Sequence, residues 1–70
     1  MCGIIGVVSD KEVNEKLLKG LSTLEYRGYD SVGMCSISNK HFNIKKGVGK
    51  VEDVHKKLNF LTLPGNIGIG

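Results

Sequence analysis

An α+β fold with the order β-α-β-β-α-β is predicted by three observations. Short apolar runs occur at Gly3–Val8, Ser31–Ser38 and Ile67–Gly70. A run at helical spacing fills the gap between the first two, with Val13, Leu17, Leu18, Leu21 and Leu24 on one face. A second, shorter helical pattern, Val51, Val54 and Leu58, precedes the last strand.

The first strand, Gly3–Val8, carries Ile4-Ile5 and Val7-Val8 back to back and therefore predicts a strand buried on both faces. Ser9 and Asp10 stop it. Ser9 followed by Glu12 has capping-box spacing, and Asp10 is an equally good cap, so a helix is predicted to start there. Lys11, Glu15, Lys16, Lys19 and Glu25 fall largely opposite the apolar stripe, as a solvated helix face requires. Gly20 costs such a helix about 1 kcal/mol relative to Ala; its expected use is the close approach of a strand. Arg27-Gly28 ends the helix, with Gly28 in the position of a left-handed C-terminal residue.

Asn39-Lys40 is a turn between the strand Ser31–Ser38 and an alternating strand Phe42-Asn43-Ile44-Lys45, so the two form a hairpin. Gly47-Val48-Gly49 is expected to break that hairpin, and Leu63-Pro64-Gly65-Asn66 turns the chain into its last strand. That strand stops in mid-pattern and leaves an apolar edge open. With few strands and two helices to cover them, the chain is expected to be part of a larger fold.

Composition removes several function classes. Ten Lys and Arg against seven Asp and Glu leave a net charge of +3, too weak to argue for nucleic acid. Lys40, Lys45, Lys46 and Lys50 are interspersed with apolar residues and are read as a solvated strand face and turn. Two cysteines make no disulfide framework, which points to a reducing cytoplasmic setting. No apolar run spans a membrane and no signal peptide is recognisable. Cys2, Cys35, His41 and His55 lack zinc-ligand spacing, so no metal is expected. Cys35 is read as an inert core residue, and His41 and His55 as solvent-facing. Gly47-Val48-Gly49 lacks the rest of any phosphate- or dinucleotide-binding loop, and no Ser/His/Asp set can be assembled.

Two stretches carry candidate chemistry. In Met1-Cys2-Gly3-Ile4-Ile5-Gly6, removal of the initiator Met would give Cys2 both a thiol and a free α-amino group. An α-amino group titrates near about 7.7–8.0, so part of it is a free base at neutral pH. A nucleophile whose base is its own terminal amine is an established solution to acyl chemistry. From these six residues the plainer reading, a small apolar residue opening a strand, stands ahead of the nucleophile. The second stretch, Leu24-Glu25-Tyr26-Arg27-Gly28-Tyr29-Asp30-Ser31, packs two tyrosines, an Arg and an Asp around a glycine between helix and strand. A surface loop and a binding loop stand level there.

Taken together, Cys-Gly-Ile-Ile-Gly at the second position, a helix, and then Leu-Glu-Tyr-Arg-Gly-Tyr-Asp-Ser-Val-Gly resemble the start of the glutamine amidotransferases with an N-terminal cysteine nucleophile. The Tyr-Arg-Gly-Tyr-Asp-Ser version resembles the branch that converts fructose 6-phosphate to glucosamine 6-phosphate. Gly49-Lys50-Val51 and Gly68-Ile69-Gly70 match that branch too. The resemblance covers all 70 residues, the first 33 being the specific part.

It implies that residues 1–70 are the N-terminal portion of a glutaminase domain, an N-terminal-nucleophile hydrolase αββα sandwich that is incomplete here. Cys2 would attack the glutamine side-chain amide, Arg27 would orient and stabilise beside it, and Gly28 would shape the substrate loop. No cofactor is implied. Glutamine is the implied partner, with fructose 6-phosphate bound through domains absent from this chain and a homo-oligomeric parent. The family's His-Thr-Arg-Trp segment, its Asn-Gly oxyanion pair and its glutamine-gripping Asp are also absent, so the piece alone is expected to be inactive and unstable. Two alternatives remain: a related amidotransferase with another acceptor, and a non-enzymatic α/β interaction module.

Overall fold

In the computed structural model, residues 3–27 and 30–70 are described, the side chain of Arg27 excepted. They form an α+β unit of two layers. A four-stranded antiparallel sheet has the order β1-β4-β2-β3, where β1 is Gly6–Val8, β2 Ser31–Ser38, β3 His41–Val48 and β4 Ile67–Ile69. Helices α1 (Asn14–Leu24) and α2 (Val51–Leu58) contribute to a single core with the sheet.

The hairpin is the most local part of the fold. Asn39 and Lys40 both adopt positive φ, 52° and 66°, the backbone of a two-residue turn whose twist matches its strands. Pairing runs the full eight residues from Ser38↔His41 to Ser31↔Val48. The third strand is therefore longer than Phe42–Lys45. Gly47 lies inside it, paired with Val32, and the break comes at Gly49, where φ is +127°.

The last strand is inserted between the first two. Gly6↔Ile69 and Val8↔Ile67 join β4 to β1, and Cys35↔Ile69 and Ile37↔Ile67 join it to β2. Reciprocal bonds between Ile5 and Gly70, 3.0 and 2.8 Å, extend the first ladder by one more residue pair.

On one side of this sheet Val32, Met34 and Ser36 of β2 meet Val13, Leu17 and Leu21 of the first helical region, Val51 and Val54 of α2, and Phe60 and Leu63 of the following loop. Gly20 has the use expected of it: a Cβ there would collide with Ile5 Cδ1, so the helix seats directly on the residue leading into β1.

Several expectations are corrected. The first strand is not buried on both faces, since Ile4 and Val8 are 83% and 80% exposed; the sheet has no second layer on that side among the described residues. The helix does not start at Ser9 or Asp10. It starts at Asn14, because Val13 is wholly buried and its N–H is taken by Gly65 O at 3.0 Å, which holds the preceding residues in a non-helical path. Ser9 Oγ instead accepts from the Lys11 N–H, 3.2 Å, and Asn14 Nδ2 donates to Leu61 O and Leu63 O, both 2.9 Å.

Cys35 is not a core residue. It is half-buried on the outer face, in register with Ile44 and Ile69. Lys45 is not part of a solvated face; it lies on the helix side, beside Met34, and its ammonium donates to Leu58 O and Thr62 Oγ1, 2.6 Å each. There it satisfies carbonyl groups left open at the end of α2. His55 is half-buried, stacked on Phe60 with the rings 4° from parallel, and its Nδ1 accepts the Phe60 N–H at 3.1 Å.

Candidate active site

Of the three residues singled out by the sequence, Cys2 and Gly28 lie outside the described residues, as does Tyr29, and Arg27 is described in its backbone alone. What the fold does describe is the framework on either side of them. α1 ends at Leu24 and runs straight into a 3-10 turn, Glu25–Arg27, so Arg27 is the last residue of a continuous helical segment. Gly3, immediately after Cys2, lies against Leu24. A Cβ on Gly3 would sit 3.1 Å from Leu24 Cδ1 and 3.2 Å from Leu24 Cβ, a contact tighter than an ordinary side chain makes. The residue following Cys2 and the residue three before Arg27 are thus in contact, and the absence of a side chain at position 3 permits it.

The same turn is anchored elsewhere. Glu25 Oε2 accepts the backbone N–H of Val51, the first residue of α2, at 2.6 Å. On the far side of the motif, Asp30 O accepts the N–H of Gly49 at 3.0 Å. The stretch Glu25–Asp30 is therefore tied at both described ends to the three consecutive residues Gly49-Lys50-Val51. Sequence reasoning placed Glu25 on the solvated face of the first helix. The structure instead gives it the work of a helix cap, since Lys50, in the capping position of α2, makes no side-chain cap bond. A lysine at that position, where Ser, Asp or Asn is usual, is the signal in the sequence that a cap had to come from elsewhere.

Other candidate groups stay apart from this region. Cys35 lies in mid-strand on the outer face of the sheet. An open depression of about 490 Å³, lined in part by Asp10, Glu12, Ile37, Asn39 and Asn66, lies at the Val8 end of β1, whereas Gly3 precedes its opposite end. Among the described residues no group of three or more His, Cys, Asp or Glu side chains is placed to hold a metal ion. No helix among them is long and apolar enough to cross a membrane.

No protein-family model matches the chain. Curated proteins do match it, along its whole length. It is 53% identical over 70 residues to a glutamine–fructose-6-phosphate aminotransferase (isomerizing) of Pyrococcus horikoshii, covering all of this chain and 12% of that protein. The corresponding protein of Methanocaldococcus jannaschii is 56% identical over 70 residues, again all of this chain and 6% of the relative. That of Zymomonas mobilis is 45% identical over 69 residues, 99% of this chain and 11% of the relative. The chain thus spans about an eighth or less of the length of the relatives it matches. Over all 70 of its residues, the chain is a homologue of one segment of the glutamine–fructose-6-phosphate aminotransferases.

Proposed function

We propose that the protein to which this chain belongs is a glutamine-dependent amidotransferase, and that residues 1–70 carry the nucleophile of its glutaminase domain. The observation that carries the reading is the full-length similarity to glutamine–fructose-6-phosphate aminotransferases, 53% and 56% identical in two of them. The contact of Gly3 with Leu24 supports it, since it brings the residue beside Cys2 to the helical segment that ends in Arg27.

In this reading Met1 is removed and the α-amino group of Cys2, directly or through a water, takes the thiol proton. The thiolate adds to the side-chain amide carbon of glutamine, and the tetrahedral intermediate collapses with the C–N bond breaking. The nitrogen leaves as ammonia, taking the proton held by the amine, and a γ-glutamyl thioester remains on Cys2. Water then cleaves the thioester to glutamate and regenerates the thiol. Arg27 orients the site and stabilises developing negative charge; Gly28 shapes the loop against substrate. The ammonia goes to fructose 6-phosphate, giving glucosamine 6-phosphate, through domains outside this chain.

The fold belonging to this chemistry is the αββα sandwich, in which a second sheet packs on the first. The outer face of the present sheet suits such a layer. Val8, Ile67, Ile37 and Phe42 form one row across all four strands, Gly6, Ile69, Cys35 and Ile44 the next, and most of these side chains are exposed. A contiguous apolar surface of this kind marks an interface.

The test is the intact mass of the full-length protein before and after treatment with 6-diazo-5-oxo-norleucine, a glutamine-like electrophile. Loss of Met1 and one adduct, mapped to Cys2 and lost in Cys2→Ser, is the expected result. A retained Met1, or an adduct at Cys35 in place of Cys2, overturns the assignment.

A further inference from the structure

A three-residue 3-10 turn is a weak element by itself, with few hydrogen bonds of poor geometry. The turn Glu25–Arg27 is held from outside. The backbone N–H of Glu25 is shared between Leu21 O and Ser22 O of α1, while its carboxylate takes the first amide of α2 at 2.6 Å. A carboxylate accepting from a helix N-terminus forms a charge-assisted bond favoured by the helix dipole. One residue thus fixes the start of the turn to both helices at once. Gly3, next to Cys2, rests on Leu24, the residue before it.

We propose that Glu25 is a positioning residue for the glutaminase reaction: its carboxylate, locked onto the Val51 amide, sets where the turn carrying Arg27 stands relative to Cys2. The proposal rests on the glutaminase reading above. Glu25 touches neither substrate nor thiol in this scheme; it acts through the backbone of the turn. A displacement of an ångström in such a group is enough to cost up to about a hundredfold in rate.

The test compares three variants of the full-length protein. Glu25→Ala removes the bond to Val51. Glu25→Gln keeps a carbonyl oxygen that can accept it. Lys45→Met removes the bonds to Leu58 O and Thr62 Oγ1 at the opposite end of the same helix, and so loosens α2 without touching the turn. For each, glutaminase kcat and KM, the rate of Cys2 alkylation by 6-diazo-5-oxo-norleucine, and Tm are measured. Glu25→Ala is expected to lower kcat and the alkylation rate about ten- to a hundredfold. Glu25→Gln recovers most of both, and Lys45→Met lowers Tm while leaving both rates within about twofold of wild type. Wild-type rates in Glu25→Ala overturn the proposal, as does an equal loss in Lys45→Met, which would make the effect one of general stability. If wild-type protein takes no adduct at Cys2, the glutaminase reading itself fails and the proposal goes with it.

Discussion

The outer face of the sheet carries more apolar side chains than the face toward the helices, and the two have opposite surroundings. On the helix side Val32 and Met34 are 8% and 2% exposed and Phe60 is wholly buried. On the other, Phe42, Ile44 and Val48 are 72%, 62% and 85% exposed. Strand alternation assigns each residue to a face, but it does not say whether that face has a partner. Apolar residues on both faces suit a sheet that sits between two layers; among the described residues only one face is covered.

The comparison can be broken most forcefully from the packed side. Leu17→Ala, which empties a wholly buried position between α1 and the sheet, is expected to destabilise the protein by about 2–5 kcal/mol. Denaturant unfolding measures it, and a loss below about 0.5 kcal/mol would mean that the packing at this position has been misread. The sharper probe is Ile44→Ala on the bare side. In the full-length protein, where the proposed second sheet covers that face, it is expected to cost about 2 kcal/mol or more. A change within about 0.5 kcal/mol, usual for a surface substitution, would leave the face solvent-exposed and remove the support for a sandwich.

The smallest effect concerns a polar exception on the packed side. Ser36, 1% exposed, has a hydroxyl with no hydrogen-bond partner among the described residues. Ser36→Ala removes an unsatisfied group at little cost in volume, so stability should hold or rise by about 1 kcal/mol. A loss larger than that, read from the same unfolding curves, would show that the hydroxyl is satisfied after all.

What was legible in the sequence divides along the range of the interaction. The apolar stripe Val13, Leu17, Leu21, the turn at Asn39-Lys40 and the Val51–Val54 face of α2 follow from spacing and local backbone preference, and the structure has them. The start of α1, the cap on α2 and the role of Lys45 were not legible. Each depends on a partner brought in by tertiary structure: Gly65 for Val13, Val51 for Glu25, Leu58 for Lys45. A capping box at Ser9–Glu12 lost to one such partner, because a backbone bond to a buried residue outweighs a solvent-exposed local cap. The candidate site divides in the same way. Cys2, Arg27 and Gly28 stand out by residue type within two motifs, while the part of Glu25 emerges only once α2 is seen to begin beside it.

The position of β4 between β1 and β2 has a consequence in time. The β2–β3 hairpin closes through a two-residue turn, and elements of that kind form within about 1–10 μs. The centre of the sheet is different, because β1 and β2 have no common neighbour until Ile67–Ile69 arrives. During synthesis, at about 5–20 residues per second, several seconds separate the emergence of Val8 from that of its partner Ile67. Through that interval β1 is an apolar strand without a mate, and pairings at such sequence separation are the slow ones. β1 and Ile5, which pairs with Gly70, are thus among the last parts of the sheet to be locked in place, although they are among the first to be made.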